Sequence, residues 1–485
     1  MKTTAVFVLA LFVCAGGLAS TPSAGAPQAE PPASSANDAA IVHLLNRITF
    51  GPRPCDVARV RAMGVERYLD EQLHPERIPD TALDARLASF TTLSLSSGQI
   101  ADDYLLPAQR ARRQRALARG QSPDFTGPRA ESTSSPQPAM KPADPIVQRA
   151  NLPLVELSEQ KILRAAYGER QLEDVLTDFW FNHFNVDARK GPERALLTEY
   201  EREVIRPHVL GHFRDLLEAT AKSPAMLFYL DNWRSKAGDI NENYGRELLE
   251  LHTLGVDSGY TQQDVIEVAR CFTGWTIQRP GQGGGFVFRP RLHDEGEKVV
   301  LGHRIRAGGG IHDGEEVLDL IASSPATAHH IAFELAQRFV SDTPPASLVD
   351  RAAATFRSTH GDLRKVVRTI LTSPEFAAAS DDNTKFKTPF EFVVSAIRTT
   401  GADVQNARPL VAVLRQMGEP LYTCQPPTGY PDTADRWISS GALLARMNFA
   451  VALAADRIPG TQLASSPAAM QSLATELGSP AFQRK

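Results

Sequence analysis

Apolar residues recur at three- and four-residue spacing over most of this chain, in segments 54–63, 66–73, 153–168, 171–184, 240–254, 261–273, 326–340, 363–372, 387–400 and 434–455. An α-helix turns that spacing into a continuous apolar stripe, so these segments predict helices packed on one another. Stop and start signals agree. Gly255, Gly274 and Gly401 follow periodic runs, as helix C-terminal caps do, and Thr261 with Asp264 three residues on forms a capping pair ahead of Val265-Ile266. Strand-like patterning is confined to Phe286-Val287-Phe288 and Val299-Val300-Leu301, with His293-Asp294-Glu295-Gly296 between them, which predicts one hairpin carried by a helical body. No repeat of solenoid period occurs. The expected fold class is mainly α, a large single multi-helical domain over residues 39–475 with one small β-hairpin.

Two stretches break the pattern. Residues 27–38, rich in Pro, Ala and Ser, read as a flexible linker. Residues 120–145 hold Pro123, Pro128, Pro136, Pro138, Pro142 and Pro145 among Ser and Thr, and read as a disordered surface insertion. Ahead of the insertion lie Arg110, Arg112, Arg113, Arg115 and Arg119. No aromatic residues are interleaved with them, so they read as a solvated helix end and not as a nucleic-acid surface. The formal net charge of −4 at pH 7 gives no general attraction to nucleic acid or anionic lipid either.

The N-terminus points to export. Lys2 precedes an apolar run from Ala5 to Ala15 that ends in small residues, the layout of a secretory signal peptide over 1–26, with cleavage near Leu18-Ala19-Ser20 or Gly25-Ala26. The run is short for a membrane span, so no transmembrane segment is expected in the mature chain. The expected location is the periplasm or the extracellular medium. Cys55, Cys271 and Cys424 then remain, an odd number without C-x-x-C spacing, which leaves room for at most one internal disulfide. Cys271, inside an apolar run, reads as a buried small hydrophobe.

Three constellations could carry chemistry. In Asn241 to Gly255, about 100° per residue places Asn243, Glu247 and Glu250 on one stripe beside the apolar Tyr244, Leu248 and Leu251, with Glu247 at the boundary. A carboxylate there is partly desolvated and needs a cation, a donor or a raised pKa. His252 points away from Glu247 and suits the last turn of its helix, while Arg246 and Glu250 have the spacing of an ion pair. His183, inside Phe179-Trp180-Phe181-Asn182-His183-Phe184-Asn185, is expected to be buried with partners for both ring nitrogens, and Glu247 is a candidate for one of them. His293 and Asp294, adjacent on the hairpin, can be metal ligands or an acid/base pair; the bland reading of Asp294 is a turn residue. Motifs for a serine-hydrolase elbow, a zincin helix, a P-loop or a dinucleotide-binding turn are absent.

Taken together the motifs are familiar. Leu44-Leu45-Asn46-Arg47 with Phe50-Gly51-Pro52-Arg53-Pro54, Phe179 to Phe184, Asn241 to Gly255 and Tyr260-Thr261 with Asp264-Val265 come first. Thr273-Gly274-Trp275, His293-Asp294-x-Gly296-x-Lys298, Lys387-Thr388-Pro389-Phe390-Glu391-Phe392 and Gly429-Tyr430-Pro431-Asp432 follow in order. Over about residues 40–455 the chain resembles the bacterial family catalogued as domain of unknown function 1800. The resemblance implies an exported, mostly helical protein of undefined activity. It also implies a partnership with an exported sulfatase-like protein, since members are often encoded beside one. Cys424 stands where an aromatic is expected before Pro426-Pro427, and Cys55 where Gly is expected; if the two lie close, they could form a disulfide private to this chain.

Two functions of different class follow. One is an exported metal-dependent hydrolase or oxidoreductase whose catalytic residues are His183, Glu247, His293 and Asp294. In it a divalent ion is held by His183, Glu247 and His293, and Asn243 and Glu250 support them from behind. The other is a non-catalytic envelope scaffold or binding partner, in which the same residues form a buried polar network fixing helix register.

Overall fold

A computed structural model describes residues 34–118, 144–256, 258–278, 284–378, 385–463 and 467–485. Helices occupy each of the segments predicted from periodicity, and the only sheets among the described residues are two-stranded. One contiguous apolar cluster runs from Ile41 to Leu477 and includes Trp180, Trp275, Phe184 and Phe213, none of them exposed to solvent. No helix among the described residues is long and apolar enough to cross a membrane.

Element boundaries follow the capping chemistry. Thr261 Oγ1 accepts from Asp264 N and the Asp264 carboxylate accepts from Thr261 N, the reciprocal box that starts the helix Gln262–Cys271. The helix Pro389–Thr400 opens on the same device with Thr388 and Glu391, and ends at Gly401, whose φ of +63° is the left-handed cap a glycine supplies without strain.

Three sequence expectations are displaced. The helix Ser34–Ile48 begins inside the stretch read as a linker, and Asp38 on it binds Arg61 at 2.6 Å. The helix expected from 153 begins at Pro145, because Asp144 caps it by accepting from Ile146 N; Pro153 lies inside it. The rest of the insertion, and the signal segment, lie outside the described residues. The single hairpin is two hairpins: Phe286–Phe288 pairs with Trp275–Ile277, and Lys298–Val300 pairs with His303–Ile305. The reason is local. Gly274 at φ +78° turns the chain from helix into strand, and Leu301 and Gly302, both at positive φ, make the tight turn whose twist suits a two-residue hairpin.

Four elements frame the part of the molecule that matters for function. The helices Pro145–Tyr167, Gln171–His183, Pro325–Phe339 and Pro389–Thr400 approach one another, and the segment from Met417 to Trp437 closes over them.

Candidate functional site

The structure separates the residues the sequence singled out. His183, at the end of the Gln171–His183 helix, is buried with Nδ1 2.7 Å from Glu334 Oε2 and Nε2 3.2 Å from the backbone oxygen of His252. Both ring nitrogens have partners as expected, but the carboxylate is Glu334 and not Glu247. Burial alone would raise the Glu334 carboxyl; the nearby His183 and His330 imidazoles hold it below its usual value instead. His252 is fully buried, and burial together with His183 and His330 pushes its imidazole well down.

Glu247 is half-buried on its own helix, Asn243–Glu250. Its carboxyl is pushed up by burial and by Glu250 and pulled back by Arg246. Arg246 pairs one turn backwards with Glu242 at 3.2 Å, so the expected pairing with Glu250 is not the one formed. Asn243 is exposed and reaches the Leu230 carbonyl.

His293 is buried elsewhere, among Thr273, Asp313 and Lys298. Nδ1 lies 2.8 Å from Thr273 O, Nε2 lies 3.1 Å from Asp313 Oδ2, and the same oxygen takes Lys298 Nζ at 2.5 Å. Its neighbour Asp294 turns the other way, into a two-pronged contact with the Arg270 guanidinium at 2.9 and 3.0 Å. That contact, against the effect of burial, holds the Asp294 carboxyl down to about 2. The two neighbours thus face different partners: His293 is enclosed with Thr273 and Asp313, and Asp294 is bound to Arg270.

The structure does not bring His183, Glu247 and His293 together: each has its own partners in a separate network. Among the described residues no group of three or more His, Cys, Asp or Glu could hold a metal. The Cys55–Cys424 disulfide does not form either: Cys55 is exposed ahead of the Asp56–Met63 helix, Cys424 is buried under the closing segment, and both are free, as is the buried Cys271.

What the motifs do bring together is a different place. Asn182 donates to Tyr430 O at 2.6 Å and accepts from Tyr430 N at 2.7 Å, a two-way amide clamp. Asn185 donates to the carbonyls of Cys424 and Pro426. Gly429, at φ +68°, lets the closing segment lie on the helix end, because a Cβ there would overlap Asn182. Trp437 pins Pro431 by its indole N–H at 2.8 Å. These contacts roof a small cavity of about 60 Å³, room for a few waters or one end of a ligand.

The cavity wall is charged. Lys161 reaches it from the Pro145–Tyr167 helix and pairs with Asp178 at 2.7 Å, its ammonium 5.1 to 5.7 Å from the ring centres of Tyr422, Phe390 and Phe181. Burial would lower that ammonium, yet Asp178 and Glu201 raise it. Arg338 reaches the wall from the Pro325–Phe339 helix and binds Glu391 at 2.6 Å, with Asp432 at 3.4 Å and Asp178 at 3.8 Å. Glu419, on the closing segment, accepts from Phe390 N at 2.7 Å, the first turn of the Pro389–Thr400 helix. Burial, reinforced by Asp178, pushes its carboxyl up to about 8 against that hydrogen bond. The surroundings of Glu419 thus favour its neutral form, while Asp178 on the same wall is held in an ion pair with Lys161.

Sequence reasoning missed Lys161, Asp178, Arg338 and Glu419. A signal was present, since Asp178 and Arg338 interrupt the apolar runs Val175-Leu176-Thr177-Asp178-Phe179-Trp180 and Leu335-Ala336-Gln337-Arg338-Phe339. Charges inside apolar helical runs are buried by default and must meet each other.

Fold and site together define a mainly α protein with a buried charged cavity at the meeting point of four helices and a closing segment. The chain belongs to the family described as "Protein of unknown function (DUF1800)", whose family model matches residues 43–485. No curated protein and no solved structure matches it.

Proposed function

We propose that this protein is an exported enzyme of the acid–base type, a hydrolase that takes a small polar group into the cavity. Glu419 is the proton donor and Asp178 the acceptor. The observation that carries the reading is Glu419, a buried carboxyl pushed up to about 8 on a cavity wall it shares with a second carboxylate. A buried carboxyl with a raised pKa, on a wall shared with a carboxylate held in an ion pair, is an arrangement that general acid–base chemistry uses at neutral pH. In the step, water attacks the substrate as Asp178 takes its proton, and Glu419 gives its proton to the departing group. Lys161 and Arg338 hold Asp178 in place.

Export rests on the N-terminal apolar run, and the sulfatase-like protein remains the first partner to test on the strength of the family resemblance. A second reading, the non-catalytic envelope scaffold, is favoured by the closed networks at His183 and His293, which tie helices together and use up their own polar groups.

The test is hydrolysis of p-nitrophenyl esters and glycosides by the parent and by Glu419→Gln. The expected result is a rate that falls as pH rises through about 8 and drops by about 10²-fold or more in the variant, the usual contribution of a positioned acid. A rate indifferent to Glu419→Gln, or no turnover of either class, discards the acid–base role.

A further inference from the structure

A second recess, separate from the cavity, opens on the other side of the helix Pro145–Tyr167. Residues two apart on a helix point about 200° away from each other, so Glu159 and Leu163 line this cleft while Lys161 between them lines the cavity. The cleft offers about 400 Å³, within the ~300–1,000 Å³ of sites that hold small organic ligands. It is lined as well by the turn from the short strand Asp403–Val404 into the helix Arg408–Gln416, and by Arg86 near the end of the helix Thr81–Leu87.

The polar groups of the cleft are each held by one atom and left free at another. Arg408 Nε donates to Glu159 Oε1 at 2.7 Å, and Arg408 N donates to Asn406 Oδ1 at 3.0 Å. Among the described residues Arg408 Nη1 and Nη2, Asn406 Nδ2 and Glu159 Oε2 form no hydrogen bond. Glu159 is only 5% exposed, so a nearly buried carboxylate keeps one unanswered oxygen at the cleft, and a buried polar group of that kind needs a partner. The charges, by contrast, are balanced. Arg86 binds Asp403 at 2.8 Å and lies 4.1 Å from the ring centre of Tyr167, and Arg408 is paired with Glu159. One carboxylate answers each guanidinium, which leaves no surplus charge to hold an ion. What the cleft presents is fixed, planar donors beside an acceptor, flanked by the apolar Phe90, Leu163 and Val404.

We propose that this cleft binds a neutral sugar, either a monosaccharide or the end unit of a short glycan. A hydroxyl both donates and accepts, so neighbouring sugar hydroxyls give to Glu159 Oε2 and take from the Arg408 Nη groups of the same ion pair. The C–H face of the ring packs on Phe90 and the apolar residues beside it, the mixed lining that fixes a small ligand in place. An anion at Arg408 would meet the Glu159 carboxylate beside it, and a cation at Glu159 would meet the guanidinium, so neither gains what a neutral ligand gains. The inference rests on the cleft alone and not on the chemistry proposed for the cavity.

The experiment is titration of the full chain, followed by saturation-transfer NMR, with glucose, N-acetylglucosamine and cellobiose, and with acetate and phosphate as anionic controls. The expected result is saturable binding of at least one of these sugars and of neither anion. In Arg408→Met that binding is expected to weaken about tenfold or more, the loss that follows removal of charged hydrogen-bond donors. Ser89 is an exposed residue of the same cleft and belongs to none of its ion pairs, so Ser89→Trp fills the space and leaves Glu159 and Arg408 in place. It is expected to lose sugar binding as fully as Arg408→Met while keeping the parent's unfolding temperature. Failure of all the sugars to bind, parent-like binding in either folded variant, or binding of acetate or phosphate without any sugar overturns the proposal. Should Arg408→Met fail to fold, Ser89→Trp still decides.

Discussion

The cluster around His293 and the cluster around Glu419 are both built from charge taken out of water, yet they are composed differently. Around His293 the sums close: Asp313 answers Lys298 and the imidazole, Thr273 takes the other ring nitrogen, and Arg270 forks onto Asp294. Around the cavity they do not: the Glu419 carboxyl is pushed up on a wall it shares with Asp178, and Arg338 Nε has no acceptor among the described residues. A closed network fixes the positions of the helices and strands that contribute to it. An open one, beside a void, retains the capacity to exchange a proton or take a ligand.

The sharpest way to break this contrast is to remove the anion of the closed cluster. Asp313→Ala leaves a buried ammonium, with side-chain exposure of 0%, uncompensated. It is expected to cost about 3–5 kcal/mol, the usual penalty for breaking a buried pair, read as a lower urea midpoint. A loss under about 1 kcal/mol would show that the His293 cluster is not the structural member of the two.

A smaller effect sharpens the other side. A carboxyl whose folded pKa lies above its unfolded value binds more protons when folded, so stability is fully present below about 4.5 and is lost as pH rises through about 8. Between those limits the loss is roughly 1.4 kcal/mol per pH unit for one such group. Urea unfolding across this range should show that slope in the parent and a flatter one in Glu419→Gln. Identical slopes would mean that Glu419 titrates normally.

Much of the fold was legible because the signals were local. Helical spacing and the Thr261–Asp264 box depend on neighbours a few residues apart, and both appear where the sequence puts them. The strand pairing was not legible, since Phe286–Phe288 chooses between Trp275–Ile277 and a later strand by turn geometry, and a left-handed Leu301 is no standard turn signal. The site was legible only in part. The motifs containing Asn182, Thr388 and Asp432 do line the cavity, but the eye goes to histidines, and His183 and His293 are the residues whose needs are met inside the protein. Lys161, Asp178, Arg338 and Glu419 come from four distant stretches, and no one-dimensional spacing joins them.

The proposed chemistry depends on Glu419 holding a proton at neutral pH. Infrared difference spectroscopy between acidic and alkaline pH, on the parent and on Glu419→Gln, observes it directly through the carbonyl stretch of a protonated, buried carboxylic acid. The expected result is that band in the parent at neutral pH, disappearing with a midpoint of about 8 and absent from the variant. A parent with no protonated carboxylic acid at pH 7, or a band that survives Glu419→Gln unchanged, would contradict it.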